Sequence, residues 1–124
     1  MEAHKLVLII DDEEPVREAV ADILELEGVP SMAAANGFEG VALYQENRTH
    51  IDVVLLDLSM PGLSGEETLA ELHKIDPNVQ VVLSSGYSEL DARHRFEQIG
   101  VAGFIQKPYD LDTFVAEIRR HLSK

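Results

Sequence analysis

Residues 51–62 read IDVVLLDLSMPG, a short apolar run that ends on an acid and passes directly into a loop with proline and glycine. The run is apolar almost continuously, which is typical of a parallel strand covered on both faces. Four similar runs occur at residues 6–10, 29–35, 79–83 and 101–106. The sequence therefore predicts five buried strands, the third of which ends at Asp57.

Helical patterns lie between these runs. In the first, apolar residues recur with the spacing of one helix face, at Val16, Ala19, Val20, Ile23 and Leu24. The same spacing predicts a second helix from Phe38, Val41 and Ala42, a third from Leu69, Leu72 and Ile75, and a last from Leu111, Phe114, Val115, Ile118 and Leu122. A weakly patterned fourth helix is expected at about residues 88–98.

Local signals support the helix boundaries. Pro15 suits the first turn of a helix, and Gly28 and Gly100 suit the left-handed conformation that ends one. Ser64 and Glu67 have the spacing of a capping box at the start of the third helix.

Five strand–helix units with short connections predict one doubly wound α/β domain over residues 1–124, with helices on both faces of a parallel sheet. Ligands of such sheets bind beyond the carboxyl ends of the strands, where the strand order reverses. In the flavodoxin-like order 2-1-3-4-5 the second strand lies away from that crevice. Its end, residues 33–35, carries only alanine.

Reactive side chains follow the other four strands. Asp11 and Asp12 follow the first, Asp57 ends the third, Ser84 and Ser85 end the fourth, and Lys107 ends the fifth. Each also has an ordinary interpretation, since acids cap helices, lysines lie on surfaces and serines occur in turns. Their occurrence together at neighbouring strand ends is what indicates a site.

The chemistry of this set favours phosphoryl transfer with Mg2+. Three crowded carboxylates repel each other unless a cation lies between them, and Mg2+ prefers carboxylate, water and phosphate oxygens. Aspartate can attack phosphorus and form an acyl phosphate. Lys107 could neutralise the charge that develops, and Ser85 could donate a hydrogen bond to a phosphoryl oxygen.

Across about residues 5–122 the chain resembles the receiver domains of two-component response regulators. The matching segments are residues 11–12, 55–62, 85–86 and 107–108. The resemblance implies that Asp57 accepts a phosphoryl group from the phosphohistidine of a histidine kinase or a histidine phosphotransfer domain. It implies that Asp12, Asp57 and the carbonyl of Ser59 ligate Mg2+, with Asp11 acting mostly through water, while Ser85 and Lys107 hold the phosphoryl group.

The resemblance also implies a conformational switch. Ser85 and Phe104 would form it, although threonine and tyrosine are commoner at these two positions. Tyr87 and Ser59 are expected to border the phosphoryl group and to set its lifetime. Residues 81–88 and 103–109 look most like receivers attached to hybrid sensor histidine kinases. A dimer through the fourth helix, fifth strand and fifth helix is compatible with the resemblance.

Three other interpretations are open. A small Mg2+-dependent phosphohydrolase of the haloacid dehalogenase type would need a second aspartate where Ser59 stands. A flavin-binding domain would need a hydroxyl- and glycine-rich loop where residues 11–14 are all acidic. A degenerate receiver would act only as a protein-interaction module, although every charged member of the site is present. The resemblance itself implies a phosphoacceptor signalling domain and no enzyme beyond self-catalysed phosphotransfer and autodephosphorylation.

Composition excludes several function classes. The formal charge of -13 opposes direct nucleic-acid binding. No apolar run approaches the roughly 20 residues that span a membrane. The absence of cysteine fits a cytoplasmic protein. The chain is expected to be a stand-alone receiver or a piece of a larger protein.

Overall fold

The computed structural model describes residues 6–58, 65–85, 101–106 and 110–122. Its strands are β1 (Leu6–Ile10), β2 (Ser31–Ala34), β3 (Ile51–Asp57), β4 (Val81–Ser85) and β5 (Gly103–Gln106). Its helices are α1 (Glu14–Leu26), α2 (Gly37–Asn47), α3 (Gly65–Ile75) and a C-terminal helix (Leu111–His121). The helix predicted at about residues 88–98 lies outside the described residues, as do Ser64 and Gly100.

The five strands form one parallel sheet in the order β2-β1-β3-β4-β5. This finding confirms the predicted doubly wound architecture and its strand order. The register pairs Ile10 with Leu56, and it pairs Asp57 with Ser84. The carboxyl ends of β1, β3 and β4 therefore lie side by side at one edge of the sheet.

Helices cover both faces of the sheet, because successive residues of a strand point to opposite sides. Ile10 belongs to a buried cluster that includes Leu69 of α3. Ile9, its neighbour in β1, belongs to a second cluster with Val20 of α1 and Phe114 of the C-terminal helix. The central strands are thus buried from both sides, as their continuous apolar character predicts.

The C-terminal helix is joined to the end of α1. Arg119 donates hydrogen bonds from Nε and Nη2 to Oε1 of Glu27 at 3.2 and 2.6 Å. Phe114 and Ile118 of the same helix are fully buried against the sheet. The C-terminal helix and α1 therefore cover the same face of the sheet.

The buried face of α2 differs from the prediction. Phe38 is 67% exposed, and Ala42 is exposed as well. The helix instead turns Gly40 and Tyr44 inward. A Cβ at Gly40 would collide with the side chain of Ile10. The helix thus approaches β1 through a glycine, and this close approach turns Phe38 toward solvent.

Leu111 was also predicted to be buried and is 55% exposed. Helix side chains tilt toward the N-terminus, so the first residue of a helix reaches past the core that Phe114 and Ile118 fill. Ala19 of α1, also predicted on the buried face, is exposed, while Val20 beside it is buried.

Three strands begin about two residues later than their apolar runs. Val29 and Val79 are buried but precede β2 and β4, because an apolar side chain can reach the core without strand pairing. β4 in turn extends to Ser85, and β3 includes Asp57. Gly28 has a φ of 76°, the left-handed conformation expected at the end of a helix. No helix in the described part of the chain has the length and apolarity to span a membrane.

Candidate acidic metal site

Three aspartates meet at the carboxyl ends of β1 and β3. Asp11 directly follows β1, and Asp57 ends β3, its neighbour in the sheet. One carboxylate oxygen from each of Asp11, Asp12 and Asp57 lies within 4.8 Å of the other two. Asp11 and Asp57 are each only 2% exposed, and Asp12 is more accessible. The structure thus brings together three predicted site residues.

The turn from β1 to α1 is held through the backbone and the carboxylate of Asp11. Its N–H donates to the carbonyl of Ala34 at 3.1 Å, which continues the pairing of β1 with β2. Its Oδ1 accepts from the N–H of Glu13 at 2.9 Å. Nη1 of Arg17, one turn into α1, donates to its carbonyl at 2.7 Å. Asp11 therefore orders the turn before the helix, whereas the N-cap residue of α1, Glu13, makes no side-chain cap hydrogen bond.

The end of β3 is held from two directions. The N–H of Leu58 donates to the carbonyl of Ser84 at 3.1 Å, which extends the pairing with β4 past Asp57. On the other side, α3 begins at Gly65. An ideal Cβ on Gly65 would lie 2.7 Å from Cα of Leu58 and 3.1 Å from the carbonyl oxygen of Asp57. The start of α3 therefore rests directly on the peptide that follows Asp57.

The remaining predicted site residues are described only in part. Ser59, Tyr87 and Lys107 lie outside the described residues. Ser85 is the last residue of β4, and its side chain also lies outside them. Phe104 is in β5, partly buried against the core cluster that contains α2 and α3.

The three carboxylates fit a magnesium ion. Oxygen ligands at about 2.1 Å from Mg2+ lie about 3 to 4 Å from each other, so a cluster within 4.8 Å closes with small side-chain movements. Two of the three carboxylates are almost fully buried, and grouping buried anions is unfavourable unless a cation neutralises them. All three contribute hard oxygen ligands, the kind that Mg2+ prefers.

The fold and this site define a class of protein. The family model of the response regulator receiver domain matches residues 7–119, and the chain belongs to that family. It is a receiver domain of the two-component type, a class of phosphoacceptor signalling domains.

Particular relatives differ in length. The chain is 31% identical to sporulation initiation phosphotransferase F of Bacillus subtilis, over 96% of this chain and 94% of that protein. It is 30% identical to the sensor kinase CckA of Brucella abortus, over 95% of this chain but 12% of the kinase. Among solved structures, the CheX–CheY–BeF3–Mg2+ complex of Borrelia burgdorferi contains a chain with a TM-score of 0.88 and 28% identity, matched over 96% of this chain and 90% of that one.

Proposed function

We propose that Asp57 is the phosphoacceptor of this receiver domain. The observation that carries the proposal is the position of Asp57, buried at the end of β3 with a carboxylate oxygen within 4.8 Å of Asp11 and Asp12. The phosphodonor is the phosphohistidine of a histidine kinase or of a histidine phosphotransfer domain. Domain limits of 1–124 are part of the same proposal.

The reaction is an in-line displacement at phosphorus. A carboxylate oxygen of Asp57 attacks the phosphorus atom, the phosphorus–nitrogen bond breaks, and its electron pair stays on the imidazole. The product is an aspartyl phosphate on Asp57. Lys107 and Ser85 hold the phosphoryl oxygens, and no further enzymatic activity is proposed beyond self-catalysed transfer and autodephosphorylation.

Asp11, Asp12, Asp57 and the carbonyl of Ser59 are the residues that would hold Mg2+. When bound there, the ion offsets the repulsion between the carboxylates and the incoming phosphoryl group. Burial strengthens this effect, because charges interact more strongly where water is excluded. The fit of three converging carboxylates supports this assignment.

Signal output follows from the same site. Ser85 and Phe104 are proposed to form the switch, in which Ser85 moves toward the phosphoryl group and Phe104 turns inward. Phe104 is partly buried and packs against the core cluster that contains α2 and α3. Tyr87 and Ser59 are proposed to border the phosphoryl group and set its lifetime.

Histidine kinases or phosphotransfer domains are the proposed partners, with a dimer through the C-terminal helix, β5 and the segment at about residues 88–98 as a further proposal. Attachment to a hybrid kinase is one setting, since the chain matches a short part of a sensor kinase. A cytoplasmic location and the absence of direct nucleic-acid binding stay predictions.

The phosphoacceptor assignment is tested by intact mass spectrometry after incubation with acetyl phosphate and Mg2+. Wild type should gain one phosphoryl group, and Asp57→Asn should gain none, because an amide oxygen is a poor nucleophile and cannot form the acyl phosphate. Asp52→Asn is the matched control, since Asp52 lies in the same strand near its other end. It should be labelled like wild type. Equal labelling of Asp57→Asn and wild type would overturn the assignment.

A further inference from the structure

Arg17 makes an unusual contact for a helix residue. It belongs to α1, but its Nη1 reaches back six residues and donates to the carbonyl of Asp11 at 2.7 Å. We infer that Arg17 is a positioning residue: its guanidinium holds the peptide between Asp11 and Asp12 so that both carboxylates face Asp57. The inference rests on the proposed function, since it concerns the same acidic site.

The geometry explains why one carbonyl matters. A peptide unit is planar, so an anchored carbonyl of Asp11 also fixes the direction of the N–H of Asp12. The N–H of Asp11 is already fixed by Ala34 in β2. With both peptide units of Asp11 anchored, the backbone that leads into Asp12 loses most of its freedom. Asp12 is the more accessible acid, so it depends most on this restraint.

Helix electrostatics alone would not put a cation here. Side chains of a helix point toward its N-terminus, where the macrodipole is positive and a cation is unfavourable. The acids after β1 and the carbonyl of Asp11 supply the compensating attraction. The half-buried setting of Arg17 strengthens this charge-assisted hydrogen bond.

Charge and positioning predict opposite effects on metal binding. If Arg17 acted only as a nearby positive charge, its removal would strengthen Mg2+ binding, because like charges repel. If Arg17 positions the carboxylates, its removal weakens Mg2+ binding and loosens the turn even without the metal. The sign of the change therefore separates the two roles.

The test uses Arg17→Met, which keeps the aliphatic stem and removes the donor and the charge. Arg48→Met is the matched control, because Nη1 of Arg48 also donates to a backbone carbonyl, that of Ile75, at 2.8 Å. Both variants change the net charge equally. Mg2+ affinity is measured by titration calorimetry, and amide exchange at residues 11–13 is measured by NMR without Mg2+.

Arg17→Met should bind Mg2+ about threefold to tenfold more weakly and exchange the amides of residues 11–13 faster by a similar factor, in line with the loss of one hydrogen bond. Arg48→Met should match wild type in both Mg2+ affinity and amide exchange. Arg17→Lys keeps a cationic donor and should stay within about twofold of wild type. Arg17→Gln loses the charge and the length of the side chain, so it should weaken Mg2+ binding like Arg17→Met, and it carries the test should Arg17→Met not fold.

Unchanged exchange with equal or tighter Mg2+ binding in Arg17→Met would overturn the inference. The inference would also be overturned if Arg17→Lys bound Mg2+ as weakly as Arg17→Met. Asp12→Ala separates this failure from failure of the proposed site. If wild type and Asp12→Ala respond alike to Mg2+, the proposed metal site itself is wrong, whatever Arg17 does.

Discussion

Gly65 stands at a point where any side chain would press on the peptide that follows the proposed phosphoacceptor. Its ideal Cβ position is 2.7 Å from Cα of Leu58, and a backbone atom cannot move aside as the end of a side chain can. Gly65→Ala should therefore destabilise the fold by about 1–3 kcal/mol and displace Asp57 as well. We expect slower phosphorylation by acetyl phosphate, measured as the rate of mass gain.

Gly103→Ala is the control for Gly65→Ala. A Cβ at Gly103, at the start of β5, would meet the carboxylate of Glu117, which is the end of a flexible side chain. Because this carboxylate can move aside, the variant should change stability little and leave the phosphorylation rate unchanged. Equal rates in the two variants would show that Gly65 matters only for packing.

At the level of single residues, the positions of the three aspartates could be predicted from the sequence. The residues that hold the backbone beside them could not. Asp11, Asp12 and Asp57 follow from strand ends, because a parallel sheet brings those ends together. Arg17 and Gly65 act on backbone atoms of other segments, and no periodic pattern in the sequence marks such contacts. An arginine placed among the acids of residues 11–18 was the one available signal for Arg17.

Side-chain caps hold the starts of α2 and the C-terminal helix. Asn36 accepts at Oδ1 from the N–H of Glu39 at 2.9 Å, and Glu39 accepts at Oε1 from the N–H of Ala35, the residue before the cap, at 2.7 Å, so the two side chains together hold the start of α2. Asp110 caps the C-terminal helix, because its Oδ2 accepts from the hydroxyl of Thr113 at 2.7 Å and from its N–H at 3.0 Å. These caps determine the residues at which α2 and the C-terminal helix begin, near the carboxyl ends of the strands.

The Asp110 cap gives the C-terminal helix a pH dependence. The hydrogen bonds from the Thr113 hydroxyl and N–H lower the pKa of Asp110 below its usual value. A lowered folded-state pKa means stability that is present above the unfolded pKa of about 3.9 and is lost as the pH falls through the folded value. Asp110→Ala should therefore lower the melting temperature at pH 7, and this difference should shrink below about pH 4.

Asp112→Ala is the matched control, since it removes the same charge from the first turn of the same helix and leaves the cap intact. It should have a smaller effect at pH 7. A melting-temperature difference for Asp110→Ala that stays constant from pH 7 to pH 3 would contradict the role of its ionised form.

Elements as a whole were predictable, and their ends and faces less so. The spacing of apolar residues identifies each described helix, but it wrongly predicts that Phe38 is buried. The residue that approaches β1 is Gly40, and a glycine contributes nothing to an apolar pattern. The spacing of Asn36 and Glu39 is that of a capping box, and it would have predicted the cap that Asn36 forms. The predicted one at Ser64 lies outside the described residues.

Whole-molecule stability should fall at alkaline pH through Tyr44. This residue is buried in the core between the sheet and α2, and its hydroxyl donates to Oδ2 of Asp76 at 3.3 Å. Burial first, and then the negative charge of Asp76, raise the pKa of Tyr44 to about 12. Since this folded value exceeds the unfolded pKa of about 10, the contribution is complete below pH 10 and is lost as the pH rises toward 12.

Tyr44→Phe is the test. At pH 8 the variant should be less stable by about 0.5–1.5 kcal/mol, the usual value of one hydrogen bond. Denaturant unfolding at pH 11 should show that this difference in the free energy of unfolding is smaller or reversed. At that pH the Tyr44 hydroxyl is ionised in the unfolded wild type, which stabilises the unfolded state, and the variant has no such group. In an ultraviolet titration of tyrosine ionisation, the transition with the highest pKa should be present in wild type and absent from Tyr44→Phe. A gap that is the same at both pH values would rule this mechanism out.

The order of the sheet follows from the sequence because it depends on few features of the chain. Continuous apolar runs mark buried strands, short connections favour right-handed crossovers, and reactive residues mark the strand ends. Residues 59–64, 86–100 and 107–109 lie outside the part of the chain that the structure describes. Ser59, Tyr87 and Lys107 therefore stay predictions.

The joining of the C-terminal helix to α1 has a consequence for synthesis on the ribosome. Phe114 and Ile118 fill the core beside β1, and Arg119 pairs with Glu27, so some of the first and last residues of the domain stabilise each other. A nascent chain that ends before residue 111 leaves Val53 of β3 and Ile105 of β5 without their final cover. The sheet face that carries β3 and β5 is therefore covered completely only after the last helix has left the exit tunnel.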